Sequence, residues 1–118
     1  MFAKFVTAGV ALLISSATAQ ALDPEGRYMV RGTYPGGGNY SGTAVVERTG
    51  NSYRVTWTIG GQTFVGTGVA TDGTENAFAA YRPGNQPAIL VYQPRTTHWQ
   101  AVWTYNDSRE VGVEHLLR

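Results

Sequence analysis

The chain has 118 residues, of which 42% are apolar and 14% charged, with a formal net charge of +1 and no cysteine. That is one domain's worth of sequence, too apolar for disorder and too evenly charged for a nucleic-acid binder. Without cysteine there is no disulfide framework, no thiolate metal site and no thiol nucleophile.

Residues 1–21 read as a secretory signal peptide. Lys4 supplies the positive start and Val6 to Ile14 an apolar stretch. Small-x-small cleavage sites follow at Ala17-Thr18-Ala19 and Ala19-Gln20-Ala21, the second preferred. The apolar run is shorter than the roughly 20 residues that a membrane-spanning helix needs, so no membrane span is expected. Residues 22–118 then form a single domain located in the periplasm or secreted. In that domain of 97 residues eight arginines balance eight acids, which leaves no long-range attraction toward nucleic acid. With no disulfides available, packing and sheet closure must hold it together.

From Gly26 onward the chain repeats one pattern: a run of β-prone residues rich in Val, Thr, Tyr, Trp and Phe, then a Gly, Pro, Asn or Asp break. The runs are 27–34, 40–48, 53–59, 62–70, 74–82, 88–93, 97–105 and 110–117. No run has a helical period, and the breaks are too short for parallel crossovers. The expected fold is all-β, a single antiparallel eight-stranded up-and-down β-barrel, with a two-sheet β-sandwich as the alternative.

Two-residue hairpins at Gly50-Asn51 and Gly60-Gly61 set the register of the second to fourth runs. Val46 then faces Val55, Ala44 faces Trp57, and Gly42 faces Ile59. Phe64 lies across from Trp57, Gly66 from Val55 and Gly68 from Tyr53. Small residues meet large ones on one face, while Glu47 and Arg54 pair on the other. A one-residue slip would bury that charged pair. A third hairpin at Asp72-Gly73 continues the inner face through Ala77, Ala79 and Tyr81, and leaves Val65 and Phe78 outward. The outward set, with Arg54, Glu47, Thr43, Thr56, Thr58 and Thr67, is too polar for a lipid-facing barrel wall.

The segments Gly42-Thr43, Tyr53 to Trp57, Phe64 to Gly68, Ala79-Ala80-Tyr81 and Trp103-Thr104-Tyr105 resemble a family of small exported Gram-negative bacterial proteins often labelled fibronectin-binding. The meander is also similar to calycin barrels such as avidins and lipocalins. No avidin-type set of Asn, Ser, Tyr and Trp ligand residues maps onto it residue by residue. The resemblance implies a calycin-like barrel and an adhesin role.

Chemistry-bearing motifs are few. His98 and His115 are the two histidines, and a catalytic zinc takes three protein ligands, so no metal site and no cofactor are expected. Ser41, Ser52 and Ser108 sit outside any nucleophile elbow, and Gly36-Gly37-Gly38 precedes no helix that would cradle phosphate. Most acids fall in turns or on the outer face.

Glu114 differs. With a two-residue turn at Asp107-Ser108, Trp103 faces Gly112, Trp99 faces Leu116, and Glu114 points inward opposite Ala101. Its readings are a ligand-contacting or proton-handling acid, or a structural ion pair with Arg27 or Arg31. A turn one residue longer would send Glu114 outward, with Val111 and Val113 inside instead. Trp57, between Ala44 and Phe64, reads as core.

The odd-numbered turns, 35–39, 60–61, 83–87 and 106–109, emerge at one end of an up-and-down meander. That end collects Tyr34, Tyr40, Tyr81, Arg82, Asn85, Tyr105 and Asn106. Tyrosine, asparagine and arginine on longer loops have the composition of recognition surfaces, and barrel mouths hold ligand pockets. The expected function is non-enzymatic binding of a protein, a glycan or a small apolar ligand, with Tyr34, Tyr40, Tyr81, Arg82, Asn85, Tyr105 and Glu114 as the binding set. Alternatives are an inhibitor of a cell-wall hydrolase and an enzyme using Glu114 as its acid or base.

Overall fold

The computed structural model describes residues 23–71 and 77–118. The leader segment and the Asp72-Gly73 hairpin lie outside the described residues. Eight strands form a closed antiparallel barrel in which each pairs with its sequence neighbours and the first pairs with the last. They are β1 (Gly26–Thr33), β2 (Asn39–Thr49), β3 (Ser52–Ile59), β4 (Gln62–Ala70), β5 (Phe78–Arg82), β6 (Ala88–Pro94), β7 (His98–Tyr105) and β8 (Gly112–Leu117). Closure rests on the β1–β8 ladder, which sets Val30 against Leu116 and Gly32 against Glu114. The barrel, not the sandwich, is the observed architecture.

The β2–β3–β4 register follows from the turns that glycine permits. Gly50 has φ +65°, and Gly60 and Gly61 have +57° and +80°, so both connections close in two residues with a twist that matches the strands. Val46 pairs with Val55 and Ala44 with Trp57, and Trp57 pairs with Phe64 and Val55 with Gly66. Glycine at 66 and 112 is a packing requirement. A Cβ at Gly66 would meet the Tyr81 carbonyl and the Trp57 ring, and one at Gly112 the Thr33 carbonyl and the Trp103 indole.

The fifth strand departs from the expected register. Gly68 pairs with Ala80 and Ala70 with Phe78, so Phe78 and Ala80 point inward. Ala79 points outward and Tyr81 is half exposed on the outer wall. The connection is longer than two residues: Thr71 N–H donates to the Ala77 carbonyl at 2.9 Å, and Ala77 N–H donates to Thr71 Oγ1 at 3.0 Å. The observed pairing puts an apolar ring inside and a hydroxyl-bearing ring in water, which burial energetics favour. Val65 points outward, as expected.

The interior is filled unevenly along the barrel axis. At the end away from the longer loops, Phe78 packs against Tyr53, Tyr92 and Trp99 with ring centroids 5.4, 5.5 and 6.4 Å apart. That end is closed by cations lying on tyrosine faces, Arg118 over Tyr28 and Arg48 over Tyr53, each at 4.9 Å. The other end, where small Ala44 pairs with Trp57 and Ala88 lines the interior, stays open.

Candidate functional site

At the open end the strands enclose a cavity of about 460 Å³, within the size range of small-molecule pockets. Its rim is built from the longer loops. Tyr34 follows β1, Arg82 ends β5, Pro83 to Gln86 form the β5–β6 connection, and Tyr105 ends β7. Its wall is aromatic and aliphatic: Tyr40, Trp57, Ile59, Phe64, Leu90 and Trp103. Tyr34, Tyr40 and Trp103 form one ring cluster, with centroids 4.7 to 6.2 Å apart.

Glu114 lies at the base of this cavity and is 3% exposed. The β7–β8 ladder puts it opposite Ala101, with Trp103 opposite Gly112, which is the inward register. The preceding connection runs over residues 106–111 and includes Asp107 at φ +66°. The ladder therefore starts two residues later than the sequence pattern suggests, in the same alignment.

Among the described residues no arginine pairs with the carboxylate, so the ion-pair reading with Arg27 or Arg31 is not the observed arrangement. Three neutral donors replace it. Tyr40 OH donates to Oε1 at 2.7 Å, Trp57 Nε1 donates to Oε2 at 3.1 Å, and Tyr92 OH also donates to Oε2. The donors come from β2, β3 and β6 and meet on β8, so the acid joins strands on opposite sides of the barrel.

Burial pushes the Glu114 carboxyl above its ordinary range, and the bonds from Tyr92, Tyr40 and Trp57 pull it back part of the way. The same burial, with the Glu114 charge beside them, raises the Tyr40 and Tyr92 hydroxyls well above the usual tyrosine range. Both tyrosines therefore remain donors. The described residues have no buried side-chain nitrogen or oxygen without a hydrogen-bond partner.

Arg82 is the one cation on the described lining. Its guanidinium lies 4.8 Å from the Phe64 ring centroid and 5.6 Å from that of Tyr105, and it donates to the Gln86 carbonyl. Six of the expected binding residues, Tyr34, Tyr40, Arg82, Asn85, Tyr105 and Glu114, line the cavity together. Tyr81 does not: the observed β4–β5 register turns it onto the outer wall.

Trp57, read as core, has a second role as a hydrogen-bond donor within the site. Tyr92, fully buried beneath the cavity, was not singled out by sequence. Period-two alternation from Ala88 through Leu90 does place it on the inner face.

The histidines converge elsewhere. His98 Nε2 and His115 Nδ1 are 3.2 Å apart on β7 and β8, beside Gln100, which pairs with His115. Partial burial, then His115 and Arg95, lower the His98 pKa. Among the described residues no three His, Cys, Asp or Glu side chains gather as metal ligands. The chain matches no protein-family model and no curated protein.

Proposed function

We propose that this protein is an exported, non-enzymatic binding barrel that takes a small, largely apolar organic molecule into its mouth. The observation that carries the reading is the cavity itself: a concave, aromatic-walled space with a single buried acid at its base and a single arginine at its rim. A pocket of this kind buries most of a small ligand's surface, whereas a stable protein partner covers about 800 Å² on each side. The preformed wall also lowers the ordering cost of binding, since the strands on every side are already paired. Against turnover, Glu114 is surrounded by donors that remain protonated, and general acid–base chemistry needs a second positioned group to pass the proton on.

Purification of the full chain from its own host, followed by native mass spectrometry, tests this. The expected result is a co-purifying organic molecule on the wild type and its loss on Ala88→Phe, which fills the cavity from β6. An empty wild-type protein, or a molecule retained equally by the filled variant, would remove the proposal.

A further inference from the structure

Among the described lining residues the charged side chains are Glu114 and Arg82, and what surrounds each of them specifies the ligand's chemistry. A carboxylate accepts about four hydrogen bonds. Glu114 receives three, one on Oε1 and two on Oε2, so Oε1 retains an acceptor position in a group that lines the cavity. All three donors are neutral, and among the described residues no Arg or His contacts the acid, which leaves its charge uncompensated there in a space walled by rings. Burying an ionised carboxylate without a countercharge is costly, and stability alone would favour an apolar residue there.

Tyr34, Tyr40 and Trp103 line the same space, and aromatic faces attract cations. At the far side Arg82, held over Phe64 and Tyr105, disfavours a second positive charge.

Resting on the small-molecule reading above, we infer that the ligand is an amine. It carries a primary or secondary ammonium that donates to Glu114 Oε1, has an apolar or aromatic body that packs on Trp103 and Phe64, and bears no second cation at the rim. The ammonium supplies the missing countercharge and fills the open acceptor position.

Three probes of equal length separate the head-group chemistry from the pocket: 3-phenylpropylamine, 3-phenylpropan-1-ol and 3-phenylpropanoate. They are titrated into the full chain and followed by tryptophan fluorescence. The amine should bind at least about tenfold more tightly than the alcohol, the scale of one desolvated cation contact. The acid should bind most weakly. Glu114→Gln, confirmed as folded by its thermal midpoint, should narrow the amine-to-alcohol ratio to within about threefold. The wild-type comparison needs no variant, so a misfolded Glu114→Gln leaves the test intact. Equal binding of amine and alcohol by the wild type overturns the amine assignment while the pocket reading stands. Failure of all three probes overturns it as well, and the co-purification experiment then decides the pocket separately.

Discussion

The indole N–H of Trp57 is one of three donors that make an inward acid tolerable. Phenylalanine at 57 would keep most of the ring against Ala44 and Phe64 but leave Glu114 Oε2 with one bond fewer. A hydrogen bond to a charged group is worth about 1.5–3 kcal/mol when its loss leaves a buried partner short. Trp57→Phe should therefore lower the urea-unfolding free energy by about that amount. A loss under about 0.5 kcal/mol, typical of a neutral surface change, would show that the indole only fills space.

Sequence carries half of this residue-scale picture. Alternation put Trp57 and Glu114 on the inner face, but an inward residue reads the same way whether it packs a core or lines a cavity. Which donors meet the acid depends on β2, β3 and β6 converging on β8, strands drawn from both halves of the chain. Tyr40 and Glu114, 74 positions apart, meet only because the barrel closes.

Hairpins decide which strands could be aligned from sequence. Gly50-Asn51 and Gly60-Gly61 each impose a two-residue loop, and one correct register propagates through β2, β3 and β4. Between β4 and β5 the chain offers Asp72-Gly73 as an equally good local signal, yet the ladder resumes at Phe78. The register of β5 goes with burial of the Phe78 ring against Tyr53, Tyr92 and Trp99, a tertiary term that no turn motif contains. The parity of the turns fixes which end of the barrel a loop occupies, so the grouping of the longer loops at one end does not depend on the β5 register. Only Tyr81, whose facing depends on register, was misplaced.

Packing at this level has its own test. Gly66 has no room for a side chain between the Tyr81 carbonyl and Trp57. Gly66→Ala should destabilise the barrel by about 1–3 kcal/mol through overpacking. Thr67→Ala, one residue on and exposed, should stay within about 0.5 kcal/mol. Equal effects in chemical denaturation would mean that Gly66 does not need its small size.

For the whole molecule the uncompensated acid ties folding, pH and ligand together. The folded-state pKa of Glu114 lies above its ordinary value, so the folded barrel holds a proton where the unfolded chain has already released it. Stability from this group is then fully present below the unfolded pKa and declines as pH rises through the folded one. The groups facing Glu114 are Tyr40 from β2, Tyr92 from β6 and Trp57 from β3. The tyrosines, with raised pKa values, stay protonated across that window, and the indole does not titrate.

His98 acts in the opposite sense. Its lowered pKa contributes stability that is present above its ordinary range and is lost as pH falls through the folded value, so a His98→Gln background isolates the Glu114 limb. In that background, urea midpoints measured from acid toward neutral pH should fall as the carboxyl ionises, and Glu114→Gln should flatten the profile. An ammonium bound at Oε1 favours the ionised form and lowers the Glu114 pKa. Saturating 3-phenylpropylamine should therefore restore stability most at the upper end of the window, by an amount that grows with pH, whereas 3-phenylpropan-1-ol should shift all points equally. A pH profile that the amine merely displaces would show that Glu114 and the ligand head do not meet.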